Sequence, residues 1–116
     1  MPDLKGLKIL IDSEDVGRLV DFYSQTFGLT VKEKGEHWGE IEFGTAAIGL
    51  HPGGDESKEV WTPLSFTVGD IAAATKAVEA NGGTVVKPPY DPREGAFLLA
   101  TYKDPENNIF MASQDL

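Results

Sequence analysis

The sequence predicts an α+β fold built from two βαβββ modules, and three observations predict it. The chain has 116 residues, enough for one domain or for two small halves sharing a core. Apolar residues recur at a spacing of two in some stretches and of three to four in others, so strands and helices alternate. The pattern then repeats. A constant offset of 55 pairs Asp15 with Asp70, Val16 with Ile71, Tyr23 with Val78, Gly28 with Gly83, Val31 with Val86 and Lys32 with Lys87. Caps, terminators and following strands keep register in both copies, which places the modules at about 5–52 and 60–114.

In the first module, Leu7-Lys8-Ile9-Leu10-Ile11 alternates as a strand with Leu7, Ile9 and Ile11 on the helix-facing side. Asp15 caps a helix in which Val16, Leu19, Val20, Tyr23 and Phe27 form one apolar face, and Gly28 ends it in a left-handed conformation. Leu29 to Lys34 extends again. Trp38 to Phe43 and Ala46 to His51 pair across the Gly44-Thr45 turn. Pro52 to Ser57 has the composition of a linker.

The second module repeats the order. Leu64 to Val68 is a strand, Asp70 caps a helix from Ile71 to Ala80, and Gly82-Gly83 closes it. Thr84 to Lys87 is a strand, and Pro88-Pro89-Tyr90-Asp91-Pro92 is a rigid loop. Phe97 to Lys103 and Asn108 to Ser113 form a hairpin around Asp104-Pro105-Glu106-Asn107-Asn108. Proline there sets φ, and asparagine tolerates a left-handed backbone.

Charge narrows the partners. Ten basic and 19 acidic residues give a formal net charge of −9, spread over both halves rather than gathered in a tail. Such a surface displaces no counter-ions from phosphates, so nucleic acid is not an expected partner, nor is an anionic membrane. A small cationic or neutral ligand is tolerated. There is no cysteine, hence no disulfide, thiolate metal site or cysteine nucleophile. Met1-Pro2-Asp3 does not open a signal peptide and no apolar run suits a membrane span, so a cytoplasmic location is expected. The serines have no nucleophile-elbow context, and the paired glycines read as turns and caps rather than as phosphate loops.

Asp15-Val16, Phe22-Tyr23 and Phe27-Gly28-Leu29 together resemble a signature of the vicinal oxygen chelate superfamily. That superfamily includes glyoxalase I, bleomycin resistance proteins and extradiol dioxygenases. The 104–108 turn is similar to its late D-P-x-G-N turn, with Asn107 in place of the glycine. The resemblance covers nearly the whole chain. It implies curled mixed sheets enclosing a cavity, and a homodimer.

The resemblance also implies four metal-ligand positions, and these fall on Lys8, Gly49, Pro63 and Met111. None is a normal ligand for a hard divalent ion. The expectation is therefore no metal, no cofactor and no catalytic residue. The alternative is a displaced ligand set of Glu40, Glu42 and His51 serving a metal-dependent lyase, isomerase or dioxygenase. Against it, the two glutamates read more readily as a solvated strand face and His51 as a loop-edge residue.

Strand alternation places Lys8, Trp38, Glu40, Glu42, His51, Ser65, Thr67 and Met111 on the cavity side, with Trp61 near the linker. Trp38 and Trp61 either stack on a planar ligand or pack in a core or dimer interface. Glu40 and Glu42 suit a cationic ligand. Lys8 either anchors an anion or pairs with a nearby carboxylate. The function expected is metal-free binding of a small planar or cationic compound, in the manner of the antibiotic-sequestering members.

Overall fold

Two aspartates open the two helices. The computed structural model describes residues 1–116, and the chain divides into two compact units, Met1–Asp55 and Glu56–Leu116. In the first unit the order is β1 (Leu7–Ser13), α1 (Val16–Phe27), β2 (Thr30–Lys34), β3 (Gly39–Phe43) and β4 (Ala46–Pro52). The Asp15 carboxylate accepts the Arg18 N–H at 3.1 Å, satisfying a donor that the first turn leaves orphaned. Gly28 ends the helix at φ 70°, a conformation in which a Cβ would be strained, and its N–H reaches the Ser24 carbonyl.

The first sheet runs β1-β4-β3-β2. β1 lies parallel to β4, and the other pairs are antiparallel. Helix α1 lies on β2, β3 and β4. It buries Val16, Leu19, Val20, Phe22 and Tyr23 against Ile41, Ile48 and Leu50. Full burial of each such side chain contributes about 1.5–3 kcal/mol, so this layer carries the stability of the unit. Two expectations change here. Leu7 is exposed at the start of the edge strand β1, whereas Ile11 further along the same strand is buried. Phe22, rather than Phe27, completes the helix core, edge-on to Tyr23 at 5.0 Å between ring centroids.

The second unit repeats the plan with β5 (Val60–Thr67), α2 (Ile71–Ala80), β6 (Thr84–Tyr90), β7 (Phe97–Lys103) and β8 (Asn108–Asp115), in the sheet order β5-β8-β7-β6. Asp70 caps α2 by accepting the Ala73 N–H at 3.0 Å. Ile71, Ala74 and Val78 of α2 are buried, as are Tyr102 and Phe110 of the sheet. Strand β5 begins four residues earlier than expected and takes in Trp61. Its ladder is irregular between Trp61 and Ser65, where Pro63 has no N–H to give. Thr62 bridges the gap: its hydroxyl donates to the Ile109 carbonyl at 2.8 Å and accepts the Leu64 N–H at 3.2 Å. Strand β6 also runs on through Pro88-Pro89, which were expected in a loop. It is an edge strand with shifts in its pairing, so the missing N–H groups leave no ladder bond broken.

The turn between β7 and β8 is built on the buried Asp104. Its Oδ1 accepts the N–H groups of Glu106 (2.8 Å) and Asn108 (3.1 Å), and its Oδ2 accepts the Asn108 side-chain amide at 2.8 Å. Asn107 takes the left-handed position at φ 64° and donates its amide to the Glu56 carbonyl. Asn107→Ala is expected to cost about 1–2 kcal/mol, and Asn107→Gly less than half as much, because glycine keeps the backbone and loses only the side-chain bond. Urea unfolding of the two variants checks the order. No helix in either unit is long and apolar enough to cross a membrane.

Candidate ligand-binding site

The site in the first unit lies on the face of its sheet turned away from α1. Cross-strand register builds it in rows. Lys8 pairs with Ala47, which pairs with Glu42; Leu10 pairs with Gly49, which pairs with Glu40; Asp12 pairs with His51. The first row and Glu40 of the second line a crevice of about 490 Å³, together with Lys5 and Lys32 among others.

Glu40 is the hub. Its side chain is 6% exposed, yet it is charged, and burial of that kind needs partners. Oε1 takes the Lys8 ammonium at 3.2 Å and the Trp38 indole N–H at 3.2 Å, and Oε2 faces the Lys32 ammonium at 3.5 Å. Lys32 also stands 3.6 Å from Glu42 Oε1. Burial pushes the Glu40 pKa up, but the hydrogen bonds from Lys8 and Trp38 and the charges of Lys32 and Lys8 outweigh it and hold the pKa below the ordinary carboxylate value. The charge and hydrogen bond of Glu40, helped by Glu42, raise Lys32 above the ordinary lysine value.

Both shifts make stability depend on pH. The Glu40 contribution is present above the unfolded-state carboxylate pKa and is lost as pH falls through the lowered folded value. The Lys32 contribution is present below the ordinary lysine pKa and is lost as pH rises through the raised one. Tyr102 acts on the same alkaline side. Burial raises its pKa against the opposing effect of its hydrogen bond with Thr75, 2.7 Å away, so folding favours the neutral phenol and weakens once an unfolded tyrosine would ionise. The melting temperature is expected to fall at both ends of the pH range. Glu40→Gln should flatten the acid limb and Tyr102→Phe the alkaline one, as followed by circular dichroism.

Gly49 matters by what it lacks. A Cβ there would lie 2.5 Å from Trp38 Cη2, 3.0 Å from Trp38 Cζ2 and 2.8 Å from Leu10 Cδ2. The indole thus lies across the glycine, and this is what brings Trp38 Nε1 to Glu40. A ligand-bearing side chain cannot occupy position 49 while Trp38 stays in place.

The donor set does not fit a hard divalent ion. Lys8 is a cation held on Glu40, and position 49 has no room for a side chain. In the second unit, Pro63 has no donor group and Met111 offers only a thioether. The displaced set does not assemble. Glu40 is committed to Lys8, Trp38 and Lys32, while His51 is an exposed residue whose Nδ1 lies 3.6 Å from Asp12. No three metal-ligating side chains come together anywhere in the chain.

Of the nine residues picked out in the sequence, Lys8, Glu40 and Glu42 meet at the crevice and Trp38 joins them through Glu40. His51 stands apart, two residues along β4 from Gly49. Ser65, Thr67 and Met111 lie on the second sheet, where Met111 sits between Ser65 and the buried Thr101, and Thr67 pairs with Ser113. Trp61 is exposed on β5. The reading missed Lys32. The pairing of β2 with β3 skips from Val31 to Glu33, so Lys32 occupies a bulge. Lys32 reaches Glu40 on one face of the sheet, whereas Lys34, two residues on, reaches Asp21 of α1 at 2.9 Å on the other. In a regular strand the two lysines would share a face.

Comparison with known proteins agrees with this architecture. Residues 8–113 match the model of the glyoxalase-like domain. The chain is 33% identical over 116 residues to the glyoxalase domain-containing protein RDO1 of Mycosarcoma maydis, covering 90% of this chain and 65% of that protein. It is 26% identical over 114 residues to a putative lactoylglutathione lyase of Brassica oleracea, covering 83% of this chain but only 39% of the relative. Among solved structures it is similar to a glyoxalase/bleomycin resistance protein/dioxygenase family enzyme from Burkholderia phytofirmans. There the TM-score is 0.77 at 22% identity, with 94% of this chain and 97% of the other covered. A superfamily member from Sphaerobacter thermophilus gives a TM-score of 0.76 at 20% identity, with 97% and 98% covered. With the repeated βαβββ plan and the matched signature, the chain belongs to the glyoxalase-like family of the vicinal oxygen chelate superfamily.

Proposed function

We infer that this is a metal-free small-molecule-binding protein that holds a planar compound by stacking and charge rather than by making or breaking bonds. The observation that supports the reading is the Lys8–Glu40 ion pair under Trp38. At the place where the family sets its first metal ligand, a lysine ammonium supplies the positive charge. At the place of the second ligand, an indole fills the space. The same reading makes the protein a cytoplasmic homodimer that sequesters its compound, as the bleomycin resistance proteins do.

Two measurements test it together. Tryptophan emission is followed against a panel of planar aromatic compounds, neutral and charged, and the metal content of protein purified without chelator is determined. Saturable quenching with metal far below one equivalent supports the reading. A stoichiometric content of zinc, nickel, manganese or iron would overturn it in favour of a metal-dependent lyase, isomerase or dioxygenase.

A further inference from the structure

We propose that the crevice of the first unit binds the carboxylate of a small organic monoanion between Lys8 and Lys32, with the buried Glu40 as the internal counter-ion that holds both lysines in place. This deepens the small-molecule reading above and rests on it.

The hydrogen-bonding valences give the sign of the ligand. Glu40 is the deepest charge, and its oxygens are taken up by Lys8, Trp38 and Lys32. Three of its roughly four acceptor sites are taken and two ammonium groups already face it, so a further cation gains little there. The lysines are the reverse case. Their side chains are 53% and 60% exposed, and an ammonium has three donors, whereas Lys8 faces one carboxylate oxygen at 3.2 Å and Lys32 two, at 3.5 and 3.6 Å. The crevice therefore presents spare N–H groups to solvent, which an acceptor satisfies.

Charge balance then limits the ligand to a single negative charge. Lys5, also at the rim, is paired with Asp3 at 2.6 Å. That leaves two lysines against two glutamates. Of these, Glu42 is the looser, 34% exposed and 3.6 Å from Lys32. A ligand carboxylate replaces Glu42 at Lys32 and completes Lys8, with Glu40 undisturbed. A phosphate dianion would bring two charges beside Glu40 with no further cation to meet them. The surface as a whole carries −9, so an anion gains nothing from the general field and its affinity depends on these two lysines.

The test uses benzoate and benzamidine, which share a ring and carry opposite charge, together with inorganic phosphate, all at constant ionic strength. The readout is the indole N–H resonance of Trp38 in ¹⁵N-labelled protein, separated from that of Trp61 by Trp61→Phe. Benzoate is expected to shift the Trp38 resonance saturably. Lys8→Met and Lys32→Met should each weaken it about tenfold, Lys32→Arg should restore most of the loss, and Glu42→Gln should tighten binding about fivefold. Saturation by benzamidine but not benzoate would overturn the anion site while leaving small-molecule binding standing. Phosphate binding as tightly as benzoate would overturn the preference for a carboxylate. A resonance that responds to none of the three overturns this proposal, and a panel that quenches no tryptophan removes the broader reading with it.

Discussion

Asp104→Ala is expected to destabilise the chain by about 3–4 kcal/mol and to lower its melting temperature by about 10 °C or more. One carboxylate accepts three hydrogen bonds at the 104–108 turn, two from backbone N–H groups and one from the Asn108 amide, and Asp104 and Asn108 are both buried. Alanine removes the acceptors and leaves those donors without partners, and a buried donor so orphaned costs more than the bond contributed. Asp104→Asn keeps one acceptor oxygen and is expected to lose about 1 kcal/mol. Chemical denaturation of the two variants separates the cases. A loss below about 1 kcal/mol for alanine would show that the turn finds other acceptors.

Gly49→Ala is expected to cost about 1–3 kcal/mol and to move Trp38. The added methyl falls within 2.5 Å of the indole and 2.8 Å of Leu10, both lying over the glycine. The backbone of β4 is paired on both sides, with β1 and β3, so the side chains give way rather than the strand. Once the indole swings off, its N–H leaves Glu40 and the ring meets water. The emission of Trp38 in a Trp61→Phe background should shift to the red, and the acid limb of the melting curve should flatten, because Glu40 then has lost one of the bonds that hold its pKa below the unfolded value. An unchanged emission maximum would mean that the indole has room the packing does not show.

Much of the fold was legible in local signals. Asp15 and Asp70 announce helices because a carboxylate beside orphaned N–H groups serves that end of a helix and little else. Gly28 announces a stop because few other residues adopt its φ. Both helices carry the bounds that their apolar periodicity predicts. The strands of the second unit were less legible. Trp61 and Pro88-Pro89 carry turn-like neighbours, and only their places in the sheets show why a side-chain bridge at Thr62 and an unpaired edge tolerate them.

The site divides in the same way. Alternation was enough to set Lys8 beside Glu40 and Glu42, and the ligand positions that the family resemblance implies hold no carboxylate or imidazole. They could not show that Glu40 is buried and already paired, that Trp38 lies across Gly49, or that Lys32 joins the crevice. The first depends on β1, far away in the chain, lying beside β4 in the same sheet, and the second on how the indole packs across its own hairpin. The third depends on a bulge, a single unpaired residue that inverts the alternation for the rest of β2. A sequence encodes which residues share a face as long as the period holds. Where the period slips, only the hydrogen-bonded register between strands decides which charges meet.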